Sequence, residues 1–290
     1  MPPATGPSRI GHASIAYAAA REVLTRATGF MDAYDYTLNP YAGCSFGCTY
    51  CYAAFFSRSR EARDDWGRWV TVKENAVSLL LRRKPGSLDG KLIYMSSVTD
   101  PYQPAERELK LTRGLLEIMA ERHKPKLVIQ TRSPDVTRDC DLFRRIEENG
   151  GRVQVNMTVT TDDEDIRRTF EPFCPSNSVR MRAIGEVQAA GVGTCITMTP
   201  LLWASDPHAF AESLLDSGVQ KFIAQPFHFQ RGKFVASTRD SALDLMAEKL
   251  GSDRKSFRSR YMEHYRWVFG ILHNTLPQLG EGKDGFNPPF

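Results

Sequence analysis

The stretch Asn39-Pro-Tyr-Ala-Gly-Cys-Ser-Phe-Gly-Cys-Thr-Tyr-Cys-Tyr52 carries three cysteines in a C-x3-C-x2-C arrangement, at Cys44, Cys48 and Cys51. Cysteine thiolates are the usual ligands of iron–sulfur clusters, and a cubane [4Fe–4S] cluster normally takes four of them. Three ligands in one short loop would leave one iron with an open coordination position. The stretch therefore predicts a cluster at which another molecule binds iron directly.

Other roles for these cysteines fit the chain less well. A structural zinc site would need a fourth Cys or His, usually in a second C-x2-C pair, and none follows nearby. A ferredoxin-type electron carrier would need a further cysteine a short distance on, whereas the next one is Cys140. A disulfide framework suits neither a chain of 290 residues nor the lack of a secretory signal sequence.

Composition places the chain among ordinary globular proteins, with 41% hydrophobic and 25% charged residues. No apolar run is long enough to predict a membrane helix. The N-terminal residues form no secretory segment, so we expect a cytosolic protein, whose thiols stay reduced. The net charge of +4 permits a nucleic-acid partner without favouring one.

Beyond the cysteines, short apolar runs alternate with stretches of helical periodicity, and a first strand is expected at Asp35–Leu38. The further strand candidates are Lys91–Ser97, Lys126–Thr131, Arg152–Thr160, Gly193–Pro200 and Gln220–Pro226. Strands that alternate with helices predict βαβ units around a parallel sheet. Six units predict an α/β fold of the partial (β/α)6 barrel type, with the cysteine loop at its C-terminal mouth.

Three segments are expected along the chain. Residues 1–30 read as an N-terminal arm with one helical patch, Ala13 to Thr25. Residues 31–230 read as the core barrel. Residues 231–290 read as a C-terminal extension.

The extension contains a basic and aromatic stretch, Arg254 to Trp267. The basic side chains of such a stretch could bind a phosphate backbone, and its aromatic side chains could stack on bases. However, Phe257, Tyr261 and Tyr265 recur every four residues, which predicts the buried face of an amphipathic helix. We favour the helix.

The cysteine spacing, together with Tyr50 just before the last cysteine, resembles the signature of the radical S-adenosylmethionine (radical SAM) superfamily. The resemblance implies that SAM chelates the open iron of a [4Fe–4S] cluster through its amino and carboxylate groups. It also implies reductive cleavage of SAM to a 5′-deoxyadenosyl radical, which abstracts a hydrogen atom from a substrate. A flavodoxin or ferredoxin would supply the electron.

The core further resembles the spore photoproduct lyase-like branch of this superfamily, from about Tyr36 to Pro226. The motifs that carry this resemblance are Asn39-Pro-Tyr-Ala-Gly-Cys44, Ser97-Val-Thr-Asp-Pro-Tyr-Gln-Pro-Ala-Glu106, Gln130-Thr-Arg-Ser133, Thr137-Arg-Asp139, Thr158-Val-Thr-Thr-Asp-Asp163, Phe170-Glu-Pro172, Ser178-Val-Arg180, and Gly191 followed by Thr199-Pro200. Their shared order favours the branch more than any single motif does.

The resemblance implies a role for several side chains at the ends of the first two strands. The three cysteines would bind the cluster, and Tyr50 would pack on the adenine of SAM. Ser97, Thr99 and Asp100 would receive the SAM amino group, since hydroxyl and carboxylate oxygens accept from an ammonium.

Side chains from later strands would complete the SAM site. Thr158 and Thr160 would approach the ribose. Arg132 or Arg180 would pair with the SAM carboxylate, because a guanidinium matches a carboxylate in shape and charge. For Arg180, a charge on a helix surface is an equally good interpretation.

One departure from the family bears on the reaction. Spore photoproduct lyase has a cysteine that returns a hydrogen atom to the product radical, and the matching position here is Ser97. A serine O–H bond is much stronger than a thiol S–H bond, so Ser97 cannot replace that donor. Cys174 is the candidate for a substitute hydrogen donor or an auxiliary ligand. Cys140 is expected to be a buried residue with a packing role only. Cys195 is expected to lie at the bottom of the barrel, away from the cysteine loop, because it is at the start of its strand.

Three functions remain open at this point. The favoured one is hydrogen abstraction from a small molecule, such as a nucleoside-like or other specialised metabolite, since the donor cysteine is missing and the charge is modest. The second is a DNA thymine-lesion repair lyase with a non-standard hydrogen donor. The third is a non-catalytic iron–sulfur protein that transfers electrons.

Overall fold

The computed structural model describes residues 6–229 and 238–290 of the chain. Its strands are β1 (Arg9–Ile10), β2 (Ala13–Ala18), β3 (Leu24–Arg26), β4 (Tyr36–Leu38), β5 (Tyr41–Gly43), β6 (Trp69–Lys73), β7 (Leu92–Met95), β8 (Lys126–Thr131), β9 (Arg152–Thr158), β10 (Gly193–Met198), β11 (Phe222–Ala224) and β12 (Leu279–Glu281). Within the described ranges they form an eight-stranded sheet, in the order β12-β11-β10-β9-β8-β7-β4-β3, and a four-stranded sheet, in the order β1-β2-β6-β5.

The large sheet is parallel from β4 to β12, and only β3 joins its edge antiparallel. Its central strands β9 and β10 are buried along nearly their whole length, as expected for parallel strands covered on both faces. The sheet ends in two free edges rather than closing on itself. The predicted α/β fold with a partial barrel is therefore confirmed.

Helices connect the parallel strands. They are α1 (Arg60–Asp64), α2 (Ala76–Leu81), α3 (Ala105–Leu109), α4 (Leu111–Arg122), α5 (Cys140–Glu148), α6 (Glu164–Phe170), α7 (Asn177–Ala189), α8 (Pro207–Asp216), α9 (Asp240–Lys249), α10 (Arg254–Thr275) and α11 (Gly282–Gly285), with 3-10 helices at Gly29–Met31, Tyr52–Phe56 and Pro134–Asp139. Helix α8 shows how local sequence starts such an element, because the Asp206 side chain accepts from two backbone N–H groups and Pro207 follows it. In the described ranges, no helix is both long and apolar enough to cross a membrane.

All six strands predicted for the core are present, as β4 and β7 to β11, with ends that differ by a few residues. The amphipathic helix predicted in the extension is also confirmed as α10. Phe257, Tyr261 and Tyr265 are only 2%, 0% and 3% exposed, so the aromatic face packs into the core.

The helical patch predicted at Ala13 to Thr25 is wrong, because this segment forms β2 and β3. In β2 the buried residues Ala13 and Ile15 alternate with exposed neighbours, and the strand pairs with β6. Alanine-rich sequence favours a helix in isolation, but pairing with a neighbouring strand outweighs that preference here.

The C-terminal residues contribute to the large sheet through β12, which pairs parallel with β11 as a seventh parallel strand. The sequence pattern did not predict this strand, since it is only three residues long and its burial is partial. The segment boundary predicted at residues 230 and 231 lies outside the described residues.

Candidate functional site

The cysteine loop leaves β5 at the mouth of the sheet, and glycines shape it. Gly47 has a φ of +60°, and a Cβ there would lie 3.0 Å from the Phe173 ring and 3.1 Å from the Gly67 Cα. The loop is also tied to the end of α6, because the Thr49 N–H donates to the Phe170 carbonyl at 2.9 Å. A left-handed backbone and close packing together require glycine at position 47.

The three loop cysteines are free thiols, and their environments differ. Burial raises the pKa of Cys44 well above its usual value and raises that of Cys51 to about 12. Burial acts in the same direction on Cys48, but a hydrogen bond with Cys174 and the charge of Arg132 lower its pKa overall. Cys48 is therefore the thiol whose surroundings most favour the ionised form.

One cavity opens beside this loop at the carboxyl ends of the parallel strands. It is lined by Phe30, Met31, Cys44, Tyr50, Cys51, Tyr52, Ala53, Trp66, Tyr94, Ser96, Ser97, Val98, Thr99, Gln130, Arg132, Thr158, Thr199, Pro200, Gln225, His228, Thr238 and Phe286. Two of the loop cysteines thus share a cavity with side chains from five parallel strands or the residues that follow them. Such a position is where parallel α/β folds keep their chemistry.

The loop fits a cluster with three protein ligands. The donor set is three thiols, which are the soft ligands that iron–sulfur clusters use. Among the described residues, no three His, Cys, Asp or Glu side chains gather around one ion-sized point. A cubane binds each cysteine through a different iron atom, so its ligands need not converge in that way.

Glu171 forms the centre of a buried charged network behind the loop. Its Oε1 accepts from the Tyr50 hydroxyl at 2.5 Å and from the Thr160 hydroxyl at 2.8 Å. Arg132 Nη1 lies 3.0 Å from Oε1, and Arg180 Nη2 lies 2.5 Å from Oε2. Burial by itself would raise the pKa of Glu171, but the charges of Arg180 and Arg132 lower it to about 2. The carboxylate is therefore ionised at neutral pH.

The two candidate arginines occupy different positions in this network. Arg132 lines the cavity and donates to the Tyr50 hydroxyl at 2.9 Å. Arg180 is 0% exposed, is absent from the cavity lining, and donates to the carbonyls of Pro175 and Thr158. Of the two, the structure brings only Arg132 to the cavity where SAM is expected.

The residues after β7 also divide into two groups. Ser97 and Thr99 line the cavity, and the Thr99 hydroxyl donates to the Gly43 carbonyl at 2.6 Å. Asp100 does not line it; its carboxylate accepts from the backbone N–H of Arg132 and from the hydroxyl of Thr131. Asp100 therefore joins the ends of β7 and β8 and sets the position of Arg132.

The ribose candidates divide in the same way. Thr158 lines the cavity. Gln130 Nε2 donates to the Thr158 hydroxyl at 2.8 Å and to the Thr197 hydroxyl at 2.9 Å. Tyr94 completes this chain by donating to Gln130 Oε1 at 2.7 Å. Thr160 is fully buried and bonded to Glu171 instead.

The remaining cysteines lie outside the cavity lining. Cys174 Sγ lies 3.6 Å from Cys48 Sγ, and neither residue lines the cavity. Cys195 is buried near the start of β10, as its sequence position predicts. Cys140, the first residue of α5, is only partly buried, so the prediction of full burial is wrong for this residue. Cys174 is thus placed beside Cys48 and not in the cavity.

Several residues of the site were missed from sequence. Gln225 follows β11 and is 5% exposed; its Oε1 faces His228 Nε2 at 3.2 Å, and its Nε2 has no hydrogen-bond partner within the described ranges. Ser96 has a φ of +73°, and its buried hydroxyl likewise lacks a partner there. Glu171 was noted only as part of a motif. An isolated amide, hydroxyl or carboxylate gives no spacing pattern by which sequence alone could identify it.

A family model for the radical SAM superfamily matches residues 38–206, which are more than half of the chain. Together with the cysteine loop, this shows that the chain belongs to the radical SAM superfamily. Among curated relatives, an uncharacterised protein of Methanocaldococcus jannaschii is 36% identical over 58% of this chain and 60% of its own length. Another uncharacterised protein, of Mycobacterium tuberculosis, is 31% identical over 58% of this chain and 50% of its own length. The chain therefore spans only about half to three fifths of these relatives.

Solved structures with a similar fold include spore photoproduct lyase. Its C140S mutant matches with a TM-score of 0.59 at 14% identity, covering 92% of this chain and 81% of that one. A form with bound AdoMet and dinucleoside spore photoproduct also has a TM-score of 0.59, at 13% identity, with the same coverage. This similarity concerns the fold, which agrees with the resemblance noted from the motifs.

Proposed function

We propose that this chain is an enzyme that holds a [4Fe–4S] cluster through Cys44, Cys48 and Cys51 and abstracts a hydrogen atom from an uncharged small molecule. When bound, the cluster and SAM would together supply a one-electron cleavage that yields a carbon radical able to remove an unactivated hydrogen. A flavodoxin or ferredoxin would provide the electron. The protein's own task is to bind, orient and exclude water.

The observation that carries this proposal is the charge of the cavity. Arg132 is the one formally charged side chain in its described lining. His228 is most stable in its neutral form, because burial lowers its pKa. A carboxylate of SAM would pair with Arg132, and the remaining walls are aromatic or uncharged polar groups. Such walls suit a neutral ligand with a few hydrogen-bonding groups.

Particular side chains would orient the two ligands. Glu171 and Tyr50 hold one Nη of Arg132 in place, so that the rest of the guanidinium is available to the SAM carboxylate. Gln225 lines the cavity, and its Nε2 donor has no hydrogen-bond partner among the described residues. A carbonyl oxygen of the substrate would accept a hydrogen bond from it. We expect substrates that bear an amide, imide or similar carbonyl group.

A DNA thymine-lesion lyase is the second candidate, and the fold shared with spore photoproduct lyase favours it. Ser97 stands where that family has its donor cysteine. Apart from Cys44 and Cys51, no cysteine lines the cavity in the described part of the chain. A lyase would therefore need a different group to return hydrogen, which is why we favour the small-molecule substrate. Electron transfer without catalysis is a weaker third candidate, since it needs no cavity beside the cluster.

An anaerobic turnover assay tests the proposal. The reconstituted protein is incubated with dithionite and SAM, with and without a spore-photoproduct dinucleotide, and products are followed by mass spectrometry. We expect 5′-deoxyadenosine without repaired dinucleotide. A Cys51→Ala variant should form none, whereas Cys195→Ala, which removes a buried cysteine outside the cavity, should behave like the wild type.

Other outcomes would select other functions. Repaired thymidine dinucleotide would establish the lyase. No 5′-deoxyadenosine from a protein with a full cluster would favour electron transfer alone. Binding to DNA gives an independent measurement, because a repair enzyme that contacts phosphates should bind more weakly as salt rises. We expect weak binding with little salt dependence.

A further inference from the structure

Cys174 is held beside Cys48 by its backbone. Its N–H donates to the Glu171 carbonyl at 3.1 Å, and its own carbonyl accepts from Arg167 Nη1 at 2.9 Å. The two Sγ atoms are 3.6 Å apart, and Cys174 Sγ also lies 3.7 Å from the Phe46 carbonyl oxygen. Both cysteines are buried, so water does not compete for these contacts.

The direction of the hydrogen bond follows from the role of Cys48. A cysteine that binds iron does so as a thiolate and has no proton to donate. Cys174 is then the donor, and it has two acceptors within reach, Cys48 Sγ and the Phe46 carbonyl. A negatively charged acceptor forms the stronger bond, so the thiolate is preferred.

A group of three charged side chains, Arg132, Arg180 and Glu171, lies near Cys48. Arg132 and Arg180 both pair with Glu171, and two guanidinium groups against one carboxylate leave one positive charge over. Glu171 and Arg180 are fully buried and the Arg132 side chain is 15% exposed, so solvent screens this charge only weakly. Glu171 thus limits how much positive charge the thiolate experiences.

We infer that Cys174 and Glu171 are positioning residues that set the reduction potential of the cluster through Cys48. Cys174 donates an S–H bond to the thiolate, and Glu171 neutralises part of the charge of two arginines. Hydrogen bonds to cluster sulfurs and nearby charge are established influences on such potentials. The inference rests on the proposed function, since it requires a bound cluster.

Redox titration of the reconstituted 290-residue chain, followed by electron paramagnetic resonance, tests the inference. Cys174→Ala should move the midpoint potential to a more negative value, because the reduced and more negative cluster loses a donor. Cys174→Ser keeps a donor and should stay closer to the wild type. Cys195→Ala, at a buried cysteine away from the loop, should leave the potential unchanged.

Glu171→Gln should move the potential in the opposite direction. It keeps the shape of the side chain and removes one negative charge beside the cluster, which favours the reduced state. General loosening of the site would move both variants the same way. Shifts of the same sign, or no shift in either variant, would overturn the inference.

A measurement on the wild type covers the case in which Cys174→Ala does not retain iron. Infrared difference spectra between oxidised and reduced protein should contain an S–H stretching band that shifts on reduction and disappears in Cys174→Ser. Absence of such a band would contradict the inference. If the wild type shows no cluster signal at all, the proposed function fails together with this inference. If the cluster is loaded but the variants have the midpoint potential of the wild type, only this inference is contradicted.

Discussion

Contacts with three other residues fix the position of the Arg132 side chain at the edge of the cavity. Its backbone N–H donates to Asp100, and its guanidinium contacts Glu171 and the Tyr50 hydroxyl. These contacts order the side chain before any ligand arrives, which reduces the entropy lost on binding. The residue can therefore act as a preorganised carboxylate receptor.

Replacing Arg132 by Gln should weaken SAM binding by about tenfold to a hundredfold, since a hydrogen bond to a charged group contributes roughly 1.5–3 kcal/mol. Isothermal titration of the cluster-loaded protein with SAM measures this effect. Arg107→Gln, which removes an exposed arginine paired with Asp135, is the matched control. Equal affinities for wild type and Arg132→Gln would show that another group receives the carboxylate.

Gly47 shows the constraint on the cysteine loop itself. Gly47→Ala should destabilise the protein by about 2–3 kcal/mol, because a left-handed alanine costs roughly 1–2 kcal/mol and its Cβ would press on Gly67 and Phe173. Chemical denaturation of the cluster-free protein measures the change.

Gly11→Ala is the control for this substitution. Gly11 has a similar φ of +57° but nothing within 4 Å of its would-be Cβ, so only the conformational cost applies. Its destabilisation should be about 1 kcal/mol. Equal losses for the two variants would mean that the contacts of Gly47 are unimportant.

At the scale of elements, α10 organises the loops at the mouth of the barrel. The Tyr261 hydroxyl donates to the Leu201 carbonyl and accepts from the Phe227 N–H. One turn further on, the His264 ring stacks on Trp203 with ring centroids 3.5 Å apart. The helix therefore links the loops after β10 and β11, which carry cavity residues.

His264 should make this element sensitive to acid. Its Nε2 accepts from the Ala204 N–H, and burial lowers its pKa from 6.5 to about 4. Between these values the unfolded chain binds a proton that the folded chain does not, so stability is full above pH 6.5 and falls as the pH drops toward 4.

Lowering the pH from 7.5 to 5 should cost the wild type about 1–2 kcal/mol more than a His264→Gln variant, which cannot titrate. Urea unfolding at both pH values measures the difference. Comparing the two proteins removes contributions from other titrating groups. Parallel pH profiles would show that His264 is not buried in its neutral form.

At the scale of the whole molecule, the C-terminal residues complete the sheet and the cavity. Strand β12 covers the edge of β11, and Phe286 lines the cavity while its carbonyl accepts from the Tyr34 hydroxyl at 3.1 Å. Without β12, β11 would become the edge strand, with one side of its backbone unpaired. The last residues therefore support the same site as the cysteine loop, from the other end of the sheet.

A chain that ends at Gln278 should melt about 5–10 °C lower than the full chain, since a few kcal/mol correspond to that shift in a domain of this size. Thermal unfolding measures it. A chain that ends at Asn287 keeps β12 and Phe286 and should melt near the value of the 290-residue chain. A similar loss in both truncations would assign the effect to the last three residues instead.

Short-range sequence patterns were enough to predict the cysteine loop, strands β7 to β11 and the buried face of α10. Each depends on residues a few positions apart, whose spacing reflects one local geometry. The segment around β2 was mispredicted because its conformation depends on pairing with β6, some fifty residues away. Strand β12 was missed because three partly buried residues form too short a pattern.

The residues that surround the cluster site depend on folding of the whole chain. Tyr50 and Glu171 are separated by 121 positions, and Cys48 and Cys174 by 126, yet each pair is in hydrogen-bonding contact. Spacing along the chain contains no information about such contacts, because they arise only when β9, α6 and the cysteine loop pack together. The spacing of the three cysteines was thus evident from local sequence, whereas the side chains that surround them are brought there by long-range packing.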